Sequence, residues 1–144
     1  MNGKTLLAEA IEMKDEIVEN RRAIHRAPEV GAHLPQTVQF VEEKLRLLGY
    51  EPRELGGGVV AELTGEDMGC CILLRADMDA LPMPEESGEP FACPTGETAH
   101  ACGHDMHTAM LLTVAKILAE HPEDVSGTIK FLFQPCEEAH DGGS

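Results

Sequence analysis

Apolar residues change their spacing along the chain, and each change marks an element. Over residues 4–26, Leu6, Leu7, Ile11, Ile17, Val18 and Ile24 recur at roughly helical intervals with Glu, Lys and Arg between them. That period predicts an amphipathic helix, ended by Pro28 and Gly31. Residues 35–48 repeat the pattern through Val38, Val41, Leu45 and Leu48, with Pro35 suited to the first turn and Gly49 to the stop. After Gly56-Gly57-Gly58 the period shortens. Residues 59–63 predict a strand, 64–69 a turn, and the near-continuous apolar run 70–75 a second strand. The two strands are expected to pair as a hairpin, the second buried on both faces. Residues 82–99 are rich in Pro, Gly and Glu and predict a long loop, of a length that in compact domains is usually functional or mobile. A third helix is expected over 105–120, with Met110, Leu111, Val114, Ile117 and Leu118 facing the core. Residues 127–134, with Ile129, Phe131, Leu132 and Phe133, predict a last strand. The order ααββαβ places the chain in the α/β class, without internal repeats or low-complexity segments.

Composition narrows this picture. A chain of 144 residues suffices for one domain with a core. With four Phe, one Tyr and no Trp, that core must be mainly aliphatic. The net charge of -15, from 26 acidic and 11 basic residues, disfavours nucleic acid and anionic membranes as partners and otherwise serves solubility. Five cysteines is an odd number, and Cys70 and Cys71 are adjacent, so alternation sends them to opposite faces of a strand. Reduced thiols fit better than a disulfide framework. The first residues lack the apolar core of a secretory signal, and no apolar stretch approaches the ~20 residues of a membrane span. The cytoplasm is the expected location.

The chemistry gathers at element ends. Three histidines, a cysteine and an aspartate fall within His100-Ala101-Cys102-Gly103-His104-Asp105-Met106-His107. Gly103 allows the backbone to turn so that Cys102 and His104 point to one place. Thiolate and imidazole are transition-metal ligands, but a Cys-x-His pair is also a common accident. Asp105 is a candidate helix N-cap, and His100 and His107 are open to a purely solvated reading. Glu137 and Glu138 follow the last strand, and open α/β sheets bind ligands beyond such strand ends. A solvated loop start is the plain alternative. Together with Cys102 and His104 they suggest a division of labour, one Glu binding metal and the other deprotonating a water. Asp77 and Asp79 share a face if the strand continues, and either supports a ligand or solvates a strand end, with Arg75 within reach of both. His25 and His121 read as cations complementing helix C-termini. Cys70, Cys71 and Cys93 read as structural, Cys136 has no assigned role, and His140 is a remote candidate ligand.

Taken as a set, these motifs resemble one family. The set is Arg21-Arg22-x-x-His25-x-x-Pro28-Glu29, Leu48-Gly49, residues 75–82 (Arg-Ala-Asp-Met-Asp-Ala-Leu-Pro), residues 100–105 (His-Ala-Cys-Gly-His-Asp) and residues 134–138 (Gln-Pro-Cys-Glu-Glu). It is similar to the amidohydrolase branch of the dinuclear metallopeptidases, which includes aminoacylases, hippurate hydrolases and hydrolases of plant auxin conjugates. The resemblance implies a three-layer α/β/α catalytic domain, of which residues 1–144 are the N-terminal part. It implies two divalent metal ions, zinc or manganese, bridged by Cys102 with His104 and Glu138 as terminal ligands. Glu137 is implied as general base and Asp79 as an aspartate standing behind the ligands. Asp77 occupies a position where more distant relatives carry a metal-binding histidine, and it is left out of the ligand set. The implied reaction is hydrolysis of the amide bond of small N-acyl amino acids, by an enzyme that can form homo-oligomers.

Three departures stand out. Position 136 is Cys where Ala is usual. Residues 139–144 (Ala-His-Asp-Gly-Gly-Ser) replace a Gly-rich turn. Family members are more than twice this length, the remainder carrying two further histidine ligands and a lid or dimerisation domain. The chain alone is therefore expected to be impaired or inactive, and the strand ending near residue 134 to leave an exposed apolar edge. The alternative is a non-catalytic module that keeps the fold and binds little metal. A thiol hydrolase using Cys102 is disfavoured, because His104 is too close in sequence and no orienting partner is evident.

Overall fold

The computed structural model describes residues 3–139, without the side chains of residues 67 and 68. His140 lies outside the described residues. The expected first helix is two: α1 (Gly3–Glu12) and α2 (Lys14–His25), separated at Met13. The Met13 amide still bonds to the Glu9 carbonyl and its carbonyl accepts from the Ile17 amide, so helical bonding runs on across the break. α3 spans Pro35–Leu47, with Pro35 in the first turn as anticipated. Three strands follow: β1 (Arg53–Leu55), which the pattern did not indicate, β2 (Gly58–Thr64) and β3 (Asp67–Asp77). α4 (His104–Glu120), a single 3-10 turn (Pro122–Asp124) and β4 (Ser126–Gln134) complete the fold.

The sheet order is β1-β2-β4-β3. β1 and β2 form an antiparallel hairpin, β2 and β4 are antiparallel, and β3 and β4 are parallel. β2 and β3 therefore do not pair, contrary to the expected hairpin. β4 inserts between them, reached from β3 by the α4 crossover that a parallel neighbour requires. Glycine makes the insertion possible. Gly127, at the start of β4, has φ +81, and a Cβ there would lie 2.2 Å from the Cys70 carbonyl oxygen. The Gly65 amide donates to the Gly127 carbonyl from the other side.

Insertion also reverses two burial expectations. β3 is an edge rather than a doubly buried strand, with Ile72 and Leu73 about half exposed. The strand ending at Gln134 is internal, so the exposed apolar edge lies on β3. Along β2 and β4, Val59, Ala61, Phe131 and Phe133 alternate onto one face, as pleating dictates. There they pack with Leu34, Val41 and Leu45 around α3 and with Leu111, Leu112 and Ala115 of α4. Tyr50 joins this core, its ring edge-on to Phe131 and its hydroxyl donating to the Ala115 carbonyl at 2.8 Å. Burial pushes that phenol up to about 12. The opposite face carries exposed Leu55 and Leu73 beside Glu62, which pairs with Lys130 at 3.1 Å. The α/β class thus stands as a four-stranded mixed sheet covered by helices on one face.

Candidate metal centre

Three chain segments meet at one end of the sheet. They are the end of β3 with residues 77–80, the first turn of α4, and the turn after β4. α4 begins at His104 because Gly103, at φ +93, takes a left-handed conformation that reverses the incoming loop. Asp105 is therefore inside the helix rather than its N-cap. After β4, Cys136 is the one non-glycine residue with positive φ among the described residues, at φ 61, and it is buried. This sparsely populated conformation turns the chain so that Glu137 and Glu138 face α4.

His104 is buried, and its orientation is fixed from behind. Nδ1 lies 2.9 Å from the Asp79 carbonyl oxygen. A carbonyl only accepts, so Nδ1 carries the hydrogen and Nε2 is the ring nitrogen available to a metal. That Nε2 faces Glu137 and Glu138, each with a carboxylate oxygen at 3.7 Å. Asp79, 1% exposed, acts on both segments, because its Oδ2 also accepts from the Glu138 amide at 3.0 Å.

Cys102, His104 and Glu138 each offer a ligand atom, and these atoms lie within 4.8 Å of one another. Glu138 Oε1 is buried without a hydrogen-bond partner among the described residues. Leaving a buried carboxylate oxygen unpaired is costly, and a cation beside it removes that cost. The Cys102 thiol is pushed above its usual range, first by its hydrogen bond to Glu138, then by burial and the charges of Glu137, Glu138 and Asp77. Negative groups crowding a thiol oppose thiolate formation, whereas a divalent ion favours it. The donor set and its electrostatics fit a metal. The carboxylates differ in exposure, the Glu137 side chain at 43% and that of Glu138 at 19%.

A second grouping, Asp77, His104 and His107, also brings ligand atoms within 4.8 Å. His107 stacks on His104 with ring centroids 5.4 Å apart, and its Nδ1 is 3.5 Å from Asp77. Arg75 pairs with Asp77 at 2.5 Å. His107 was open to a solvated reading in the sequence; its place one helical turn after His104 was the available signal. A third grouping, His121 with Glu123 and Asp124, lies at the far end of α4, where His121 Nε2 is 3.1 Å from Glu9.

Behind the centre lies a network that sequence reasoning missed. His25, in the last turn of α2 as expected, is buried, with Nδ1 2.7 Å from Asp105 Oδ2 and Nε2 2.9 Å from Glu85 Oε1. Arg21 Nε donates to the same Asp105 oxygen at 2.6 Å. Phe91 packs edge-on to His25 and lies beneath the Arg21 and Arg22 guanidinium groups. Burial pushes the Glu85 carboxyl up, but hydrogen bonds from the Cys93 amide, Ser87 and His25 outweigh it and hold the group at about 2. His100 is also buried rather than solvated, and burial pushes it down to about 4. The recurrence of Arg21 and His25 in one motif was the signal for this network.

Comparison with known proteins follows from this geometry. The profile of peptidase family M20/M25/M40 matches residues 73–144, which hold the end of β3, all of α4 and β4, and every grouped residue near the sheet end. The chain is 43% identical over 135 residues to an N-acyl-L-amino acid amidohydrolase of Geobacillus stearothermophilus, covering 92% of this chain and 36% of that protein. It is 44% identical to thermostable carboxypeptidase 2 of Saccharolobus solfataricus, covering 92% of this chain and 34% of that protein. A dinuclear metal-binding peptidase of the M20 family from Bacillus subtilis superposes with a TM-score of 0.85 at 37% identity, covering 89% of this chain and 36% of that one. The chain thus spans about a third of the length of these relatives.

Proposed function

Because the chain belongs to peptidase family M20/M25/M40, we propose that it forms the first part of the catalytic domain of a metal-dependent hydrolase that cleaves the amide bond of small N-acyl amino acids. The amidohydrolase among its relatives supports the substrate class. The dinuclear peptidase supports two metal ions. The observation that carries the reading is the convergence of Cys102, His104 Nε2 and Glu138 beside the unpartnered Glu138 oxygen.

Cys102, His104 and Glu138 would hold the metal. A bound zinc or manganese supplies Lewis acidity toward a water and the scissile carbonyl. The chain's own residues do the rest. Asp79 holds His104 in the tautomer that presents Nε2 and fixes the backbone at Glu138. Glu137, the more open carboxylate, takes a proton from the attacking water and returns it to the leaving amine nitrogen. A carboxylate with this freedom can face the water first and the amine afterwards.

The test is amine release from N-acetyl amino acids by the protein carrying this chain. Treatment with chelator is expected to abolish release, and added zinc or manganese to restore it. Release that is indifferent to chelator would remove the metal from the reaction.

A further inference from the structure

The 82–99 loop and the His104 end of α4 both bond to one side chain, His25, with Phe91 of the loop and Arg21 packed beside it. Glu85 is the hub of the loop: its Oε2 accepts from the Cys93 amide at 2.7 Å and its Oε1 from Ser87 Oγ at 2.7 Å. The same Oε1 meets His25 Nε2 at 2.9 Å. On its other edge, His25 Nδ1 meets Asp105, the residue after His104, at 2.7 Å. Asp105 is fully buried, and its second oxygen accepts from the Met106 amide at 2.9 Å, within the first turn of α4. The partner of each ring nitrogen is a carboxylate. These are charge-assisted bonds, the strong class. The loop has a second anchor, from Thr98 Oγ1 to the Pro28 carbonyl at 3.2 Å; Thr98 Oγ1 also lies 4.0 Å from Cys93 Sγ but bonds to none of Glu85, His25 and Asp105.

We propose that His25 is a positioning residue: it fastens the 82–99 loop, through Glu85, to the His104 end of α4, through Asp105, so that loop order and the placement of His104 are set together. The inference rests on the reading above only in taking His104 as a ligand. A loop ordered by contact with a substrate would, through this link, stiffen the first turn of α4, and by reciprocity metal on His104 would order the loop.

The experiment has a metal-free arm and a cobalt arm. In the metal-free chain, hydrogen exchange is followed at the Met106 and His107 amides, both bonded to the Gly103 carbonyl, and at the Cys93 amide. Glu85→Gln, a change within the loop, is expected to speed exchange at Met106 and His107 by roughly tenfold, the scale of one charge-assisted bond. In a His25→Gln background it adds nothing there, because the link is already cut. Thr98→Ala speeds exchange in the loop alone. Unchanged Met106 and His107 exchange in Glu85→Gln, additive effects in the double variant, or an equal response to Thr98→Ala would each overturn the proposal. In the cobalt arm, Glu85→Gln is expected to shift the visible bands of the Cys102–His104 site and Thr98→Ala to leave them in place; the reverse also overturns the proposal. A wild-type chain that takes up no cobalt removes the proposed metal centre, and the exchange arm then still decides the link.

Discussion

Asp79 joins two parts of the proposed centre that are far apart in sequence. Its carbonyl fixes the His104 ring and its carboxylate fixes the Glu138 amide. Asp79→Ala removes the carboxylate acceptor from the Glu138 amide, and metal affinity by calorimetric titration is expected to fall roughly 10- to 100-fold, the usual effect of removing such a support. Glu137 makes the contrasting prediction: Glu137→Gln is expected to leave metal content unchanged and to lower turnover by about 10² or more, the scale of a lost general base. Equal losses of metal and turnover would instead make Glu137 a ligand. Glu85 carries a pH signature. Its folded-state value of about 2 lies below the ordinary 4.5, so its contribution is complete above pH 4.5 and is lost as pH falls through about 2. The amide resonance of Cys93 is expected to hold its position from neutrality to pH 4.5 and to move below it; a midpoint at the ordinary value would show the tether absent. At this scale, Cys102, His104, Glu137 and Glu138 were readable because ligand-type residues cluster in short motifs. The partnership of His25 with Glu85 and Asp105 was not, because it joins residues 60 and 80 positions apart.

Elements were legible where periodicity is strong. α3, α4 and β4 lie within a residue or two of their expected bounds. The break at Met13 leaves no mark in the pattern, because apolar positions on both sides keep a helical spacing. The pairing of β2 with β3 was misjudged because a turn between two strands signals proximity, while β4, 60 residues later, competes for the same edges. Gly65, Gly69 and Gly127 are the points of close backbone approach where β4 enters. Gly127→Ala places a Cβ against the Cys70 carbonyl at positive φ, and is expected to destabilise the fold by more than about 1 kcal/mol. Chemical denaturation checks this, and an unchanged midpoint would show that β3 and β4 can separate at that point without loss.

For the molecule as a whole, the sheet is helix-covered on one face, and Ile72 and Leu73 stand exposed on its β3 edge. The chain represents about a third of the length of its relatives, and two of its three groupings of ligand-type residues share His104 at one end of the sheet. Residues of one short motif are close in space because their spacing is local, whereas strand order depends on residues far apart in the chain. The central claim is that Cys102, His104 and Glu138 hold a metal. Cobalt titration followed by visible spectroscopy tests it most directly. The account predicts a thiolate-to-cobalt charge-transfer band that saturates with added metal and is absent in Cys102→Ser. Absence of the band in the wild-type chain, or its persistence in Cys102→Ser, would contradict it.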